Sequence, residues 1–165
     1  MGTFATLVVG SDGSTSLNGS SQAISSVADR ELFLSRRRAV DFLLIGGQTA
    51  RAEPYLRTPV PVVVASRSED NVLATNPDAY WWNLSPAQAL TSGIAKFGPS
   101  VLVESGGSFL SQLISEKVLD GIFLSVTKIS GGENRIDIEN LLDNFLEREE
   151  KSLGDTLFIT ARKPK

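Results

Sequence analysis

Three short segments rich in glycine and serine hold the residues best suited to bind a phosphorylated ligand. Each directly follows an apolar run, and they occupy residues 10–15, 46–54 and 104–108. Glycine pairs in the second and third segments let a ligand approach the backbone closely, and the free amides of a following helix start would bind phosphate. None of the three is a Walker A loop or a Gly-x-Gly-x-x-Gly fingerprint. A glycine pair after a strand is more often a tight turn, but three such segments at one sheet edge indicate a binding site.

An arginine-rich window lies between the first and third segments. Residues 30–67 contain seven Arg and no Lys against three acids, although the whole chain has 16 basic and 19 acidic residues and a net charge of −3. Arginine suits bidentate recognition of phosphate, whereas a solvated helix face explains the same run of charge. The sequence leaves open which of Arg36, Arg37 and Arg38 reaches a ligand. The negative net charge predicts that the protein does not bind nucleic acid.

The absence of two residue types excludes several classes of enzyme. The sequence has no His and no Cys, so catalytic thiols, Ser-His-Asp triads and the usual zinc sites are excluded. We therefore expect no metal site, and we expect acid–base chemistry to come from Asp, Glu, Lys, Tyr, a cofactor, the substrate or water. The lack of Cys fits a reducing cytoplasm.

The apolar runs are short. None approaches the ~20 residues that a membrane helix needs, and the first nine residues lack the basic region of a signal peptide. We expect a cytoplasmic protein that does not associate with membranes.

Alternating strands and helices must position these segments. Apolar runs predict strands at residues 4–9, 42–45, 60–65, 80–84, 101–104 and 121–126, followed by two C-terminal strands at 141–151 and 156–162. Ser26 and Ser85-Pro86 are typical helix starts. The first predicts a helix to about Ala39 and the second a helix ending near Gly93 or Phe97. A further helix runs through Leu110, Leu113 and Ile114. Val27, Leu34 and Phe33 are expected to form the buried stripe of the first helix.

This order predicts one α/β domain over residues 1–165. Its sheet is mostly parallel, with helices on both faces and an antiparallel C-terminal hairpin. Ligands of such sheets bind beyond the carboxyl ends of the strands, which is where the three polar segments lie.

Five motifs in this order resemble one known family. The chain has Asp12-Gly13 after the first strand, then Ser21-Gln22-Ala23-Ile24-Ser25, and then Arg37 four residues before Asp41. The segment 46–54 is the fourth motif, and the segment 104–110 together with the helix exit at 118–121 is the fifth. Together they resemble the reductase domain of the bacterial bifunctional riboflavin biosynthesis deaminase/reductase, which has a three-layer dihydrofolate-reductase-like fold. The chain departs from that pattern at several positions. Ser14 stands where a basic residue is common, Ala23 where a Trp is usual and Gln48 where a second Gly is expected, and one acid of an Asp-Asp pair is absent.

The resemblance implies an NADPH-dependent reductase. Its reaction would reduce the ribose of 5-amino-6-(5-phosphoribosylamino)uracil, or of the diamino analogue, to a ribityl chain. It implies cofactor contacts from Ser14, Thr49, Glu53, Ser66, Arg67, Gly106, Gly107 and Ser108. It implies substrate contacts from Ser21, Arg37, Leu56, Arg57 and Glu104, with the arginines on the substrate phosphate and Glu104 as the best catalytic candidate. Ser66 and Arg67 would meet the 2′-phosphate, which favours NADPH over NADH.

Other functions fit the same sequence. A dihydrofolate reductase needs an acid early in the first helix, and Asp29 is the candidate; another small-molecule NADPH reductase or a catalytically silent nucleotide-binding module also remains open. Pyrimidine deamination is not expected, because the His-x-Glu and Pro-Cys-x-x-Cys motifs of zinc deaminases are absent. The C-terminal strands must lie near a sheet edge, and exposed edges need covering, so we expect a homodimer.

Overall fold

The computed structural model describes residues 2–165, and its strands belong to one sheet. The strands are β1 (Thr3–Val9), β2 (Phe42–Gly46), β3 (Val62–Ala65), β4 (Ala79–Trp82), β5 (Val101–Val103), β6 (Gly121–Val126), β7 (Phe145–Leu153) and β8 (Thr156–Pro164). The helices are α1 (Val27–Arg38), α2 (Gly47–Ala52), α3 (Pro86–Phe97), α4 (Gly107–Ser115) and α5 (Ile138–Leu142). The strand order is β4-β3-β2-β5-β1-β6-β8-β7.

The sheet is parallel from β4 to β6 and antiparallel beyond it. Strands β1 to β6 pair in parallel, while β8 pairs antiparallel with both β6 and β7. The central strands are buried on both faces, which explains why they read as continuous apolar runs rather than alternating ones. Along β2, Phe42 and Leu44 point into one core, and Leu43 and Ile45 into the other.

Helices cover both faces of this sheet. Leu90 of α3 and Leu113 of α4 pack into the first core, and Ala50 of α2 packs into the second. On the second face, the Arg36 guanidinium of α1 lies 3.9 Å from the centre of the Phe123 ring. The structure thus confirms the predicted three-layer α/β fold with a mostly parallel sheet and an antiparallel C-terminal hairpin.

Local signals gave helix starts correctly, but three predictions were wrong. Ser26 and Ser85 are the N-caps of α1 and α3, as predicted. The predicted strand at 141–151 instead begins with the end of α5, whose N-cap is Asp137, and β7 starts only at Phe145. The predicted third strand began too early, because β3 starts at Val62.

The third error concerns the buried face of α1. Val27 is 80% exposed, and Phe33 and Leu34 are only partly buried. The buried residues of this helix are Asp29 and Arg37. These two residues and Phe33 are spaced four apart, so they share one face, and this face turns towards the polar edge of the sheet. Within residues 2–165, no helix is long and apolar enough to cross a membrane.

Candidate active site at the carboxyl edge of the sheet

Two adjoining clefts lie beyond the ends of β1, β2, β3 and β5. The inner cleft, of about 490 Å³, lies between the segment after β1, α1, α2 and the end of β5. The outer cleft, also about 490 Å³, lies between the start of α2, the end of β3 and the start of α4. Gln48, Thr49, Ser105 and Gly106 line both, so the two clefts form one continuous channel.

A buried ionic cluster closes one side of the inner cleft. Arg37 donates to both oxygens of Glu104, from Nε to Oε1 at 2.8 Å and from Nη2 to Oε2 at 2.6 Å. The Tyr55 hydroxyl donates to Glu104 Oε2 at 2.6 Å. Charges this deeply buried are tolerated only when they are paired and hydrogen-bonded. We call Arg37, Tyr55 and Glu104 the Glu104 cluster.

The cluster holds Glu104 as a hydrogen-bond acceptor. Burial raises the pKa of Tyr55 well above its usual value, and the neighbouring Glu104 charge raises it further, so the phenol remains a neutral donor. Burial opposes the charge on Arg37, but its hydrogen bonds and Coulomb attraction to Glu104 outweigh this and raise the pKa of the guanidinium. Phe33 stacks near the guanidinium, 4.4 Å from its carbon to the ring centre. Glu104 is therefore held in a fixed orientation at the edge of the inner cleft, with its side chain 3% exposed.

The helices that begin at the channel lack side-chain caps. The N-caps of α2 and α4 are Gly46 and Gly106, and neither N-cap residue has a side chain that could accept from the first-turn amides. Gly107 has φ +56°, a left-handed conformation that favours glycine. The first-turn amides of both helices therefore remain without a side-chain acceptor, in the arrangement that binds anions at helix N-termini.

Ser105 ties the two glycine turns together. Its Oγ accepts a hydrogen bond from the Gly46 amide at 2.7 Å and lies 3.1 Å from the Thr49 hydroxyl. The end of β2 and the end of β5 are thus held at one spacing, which positions both uncapped helix starts.

Two loops that are far apart in the sequence build the outer wall of the inner cleft. Glu133 exchanges backbone hydrogen bonds with Ser16, at 2.7 and 3.4 Å. The Glu133 carboxylate accepts hydrogen bonds from the Asn18 and Gly19 amides, each at 3.2 Å. The segments 10–20 and 129–137 therefore form one wall.

The structure brings most of the predicted site residues to this channel. Ser21, Thr49, Glu53, Glu104 and Gly107 line the inner cleft, and Ser66, Arg67 and Ser108 line the outer one. Gly106 lines both. The Ser21 amide donates to Glu53 Oε1 at 2.8 Å, which joins a predicted substrate residue to a predicted cofactor residue. Of the three adjacent arginines, Arg37 is the one beside the inner cleft.

Three predicted residues lie elsewhere. Ser14 is fully buried; its hydroxyl donates to Asp12 and accepts from the Gly132 amide at 3.1 Å, so its side chain is not presented to the channel. Leu56 and Arg57 are exposed and line neither cleft. In the segment after Glu53, the side chain that points inwards is that of Tyr55. Their assignments remain predictions.

Sequence reasoning missed Tyr55 and Ser105 and gave Asp29 only a secondary role. Asp29 lines the inner cleft, and its Oδ2 accepts from the Ser25 hydroxyl at 2.5 Å. A signal for Asp29 exists, since it precedes Arg37 by eight residues on a helix. Tyr55 contacts Glu104 across 49 residues, and no local pattern predicts such a contact.

Comparisons with known proteins connect this geometry to reductase structures. No family model matches the sequence, and no curated protein matches it. The deaminase/5-amino-6-(5-phosphoribosylamino)uracil reductase of Thermotoga maritima superposes with a TM-score of 0.72 at 16% identity, over 98% of this chain and 56% of that one. RibD of Acinetobacter baumannii gives 0.73 at 16% identity, over 98% and 57%. A pyrimidine reductase-like protein of Corynebacterium diphtheriae gives 0.62 at 14% identity, over 96% and 90%.

These likenesses establish the fold. It is the dihydrofolate-reductase-like fold of the RibD reductase structures, which confirms the resemblance drawn from the motifs. The chain spans just over half the length of the two deaminase/reductase structures that it matches.

Proposed function

We propose that this chain is an NADPH-dependent reductase that converts the ribose of a phosphoribosylaminopyrimidine to a ribityl chain. The observation that carries the proposal is the Glu104 carboxylate, held by Arg37 and Tyr55 at the inner cleft beside two uncapped helix starts. The names of the structurally similar proteins support the choice of substrate: 5-amino-6-(5-phosphoribosylamino)uracil or its diamino analogue.

The donors that line the channel support binding of a dinucleotide that carries an additional phosphate. The uncapped first turns of α2 and α4 supply amides for the diphosphate. Arg51 and Arg67 also line the outer cleft with Ser66 and Ser68, and this donor set suits a 2′-phosphate. When bound, the reduced nicotinamide supplies a hydride.

Glu104 acts on charge that develops in the substrate. Opening of the ribose ring breaks the bond between C1 and the ring oxygen, which takes up a proton, and leaves a cationic C1=N group. Hydride addition at C1 converts this group to the C1–N single bond of the ribityl chain. A preoriented carboxylate would stabilise this cation in a substrate bound at the inner cleft, and Arg37 and Tyr55 hold Glu104 in place.

Kinetics with Glu104→Gln test this role. NADPH oxidation is followed with both pyrimidines, and we expect the variant to lose about a hundredfold in kcat while its Kd for NADPH stays unchanged, which also shows that it is folded. Glu139→Gln is the matched control, because Glu139 is exposed and pairs with Arg148 away from the channel. Parental kcat in Glu104→Gln contradicts the role. A wild-type protein that does not bind NADPH contradicts the proposed function itself.

A folate-type reductase is a second candidate, and the position of Asp29 favours it. This carboxylate is only 7% exposed in the first turn of α1 and lines the inner cleft. It could accept two N–H groups from the ring nitrogen and the exocyclic amine of a pterin. Turnover of dihydrofolate that is lost in Asp29→Asn would establish this alternative; NADPH oxidation that requires the phosphoribosylaminopyrimidine would exclude it.

We also propose that the chain forms a homodimer. The C-terminal hairpin places β7 at one edge of the sheet, and Val27 and Leu153 are exposed nearby on α1 and β7. The edge strand β7 is exposed along most of its length, and a dimer would cover this edge together with the two apolar side chains. Light scattering at micromolar concentration tests this, and a monomer contradicts it.

A further inference from the structure

The inner cleft is rich in acid, which raises the question of what holds the anionic end of a ligand. Three carboxylates, Asp29, Glu53 and Glu104, line it. The guanidinium of Arg37 is already engaged by Glu104, and Arg57 lies outside both clefts. Among the described residues that line the inner cleft, one side chain is basic, and it is Arg135.

Arg135 projects from the wall built by the segments 10–20 and 129–137. Its one ion pair joins Nη2 to Asp12 Oδ2 at 3.2 Å, and its side chain is 60% exposed. A single contact at this distance leaves most of the five N–H donors of a guanidinium available. The side chain is thus accessible and also held close to the cleft.

Asp12 does not depend on Arg135. Its Oδ1 accepts from the amide and the hydroxyl of Ser14, and its Oδ2 accepts from the Gly131 amide at 2.8 Å. These hydrogen bonds lower the pKa of Asp12 to about 2, and Arg135 contributes least to the shift. The Asp12 carboxylate therefore positions Arg135, while its own position is fixed by its hydrogen bonds to Ser14 and Gly131.

We infer that Arg135 binds a phosphate group of a ligand in the inner cleft. Arg135 and Gly107, the first residue of α4, both line this cleft, so the cleft offers a guanidinium and helix amides as donors to anionic groups. Two sources have this chemistry: the phosphate ester of a sugar substrate and the diphosphate of a dinucleotide. The inference deepens the proposed function and rests on it for the identity of these ligands.

Calorimetric titration of the full chain with ribose 5-phosphate and with NADP+ separates the two sources. We expect Arg135→Ala to lower the affinity of the protein for one of these two probes about tenfold, because a charge-assisted hydrogen bond is lost. Arg135→Lys should recover part of that affinity. If the affinity for ribose 5-phosphate falls and that for NADP+ does not change, Arg135 binds the substrate phosphate. If the affinity for NADP+ falls and that for ribose 5-phosphate does not change, Arg135 binds the cofactor diphosphate. The affinity for ribose, which lacks a phosphate, should be the same in the wild type and in both variants.

Lys128→Ala is the matched control. Lys128 follows β6 in the same connection and pairs with an exposed carboxylate, that of Asp155, at 2.8 Å, but it lines neither cleft. The inference is overturned if Arg135→Ala changes both affinities no more than Lys128→Ala does, or if the wild-type protein binds neither probe. If ribose 5-phosphate binds in an Arg135-dependent way while NADPH does not bind, the inference stands and the proposed reductase function fails.

Discussion

The helices of this molecule begin in two different ways. Ser26, Ser85 and Asp137 cap α1, α3 and α5 with side-chain oxygens, whereas α2 and α4 begin at glycines with no side-chain cap. A side-chain cap satisfies helix amides within the chain, while a bare glycine leaves them available to a ligand. The two kinds of start therefore differ in whether the chain itself supplies an acceptor for the first-turn amides.

The largest effect is expected from placing a cap where there is none. In Gly106→Asp, the new Cβ would meet Leu7 at 3.4 Å, an ordinary contact, and the carboxylate would satisfy the first-turn amides of α4. It would also repel a diphosphate, so we expect the Kd for NADPH to rise roughly a hundredfold while the protein gains about 0.5–1 kcal/mol in stability. Fluorescence titration and denaturant unfolding measure the two effects.

A matched control exchanges one capping residue for another. Ser26→Asp keeps α1 capped and lies outside both clefts, so its affinity for NADPH should equal that of the wild type. If Gly106→Asp also retains the wild-type affinity, the uncapped start of α4 is not a phosphate site.

An intermediate effect is expected where a side chain, rather than the backbone, would meet phosphate. Arg67 lies in the outer cleft after β3. Arg67→Ala should therefore lower the affinity for NADPH about tenfold and the affinity for NADH much less. The ratio of the two dissociation constants is the measurement, and Arg162→Ala, on the distant β8, is the control. If the affinities for NADPH and NADH fall equally, Arg67 does not contact the 2′-phosphate.

The smallest effect is expected from removing a cap that serves only the fold. Ser26→Ala deletes the hydrogen bond from the Asp29 amide to the Ser26 hydroxyl, 3.1 Å long, and the one between the Ser26 and Thr156 hydroxyls, 2.6 Å long. It should cost about 1–2 kcal/mol of unfolding free energy. The Kd for NADPH should not change. A loss of affinity comparable to that of Gly106→Asp would abolish the distinction between the two kinds of helix start.

The same contrast shows how far the sequence could predict the structure. The capped starts of α1 and α3 were predictable, because Ser26 and Ser85 act on amides three residues away; the start of α5 at Asp137 was missed. Buried strands such as β6 were predictable from their apolar runs, and the glycine turns from their place after strands. In these cases the signal and the structure lie within a few residues of each other.

What the sequence could not show depends on contacts across the chain. The buried face of α1 carries Asp29 and Arg37 instead of Val27, since that face meets a polar cleft and not the apolar core. Tyr55 gains its role from Glu104, 49 residues further on. The Arg57 assignment came from a motif, and the chain after Glu53 turns Tyr55, not Arg57, towards the site.

The hydrogen bonds of Glu133 determine when the inner cleft can exist during synthesis. Asn18 and Gly19 leave the ribosome 115 and 114 residues before the carboxylate that binds their amides. Contacts of such long sequence separation form late, because the intervening chain must first be ordered. A nascent chain that has completed the strands up to β5 therefore has the glycine turns but not the wall, and it becomes competent to enclose a ligand only after β6 and the segment beyond it have emerged.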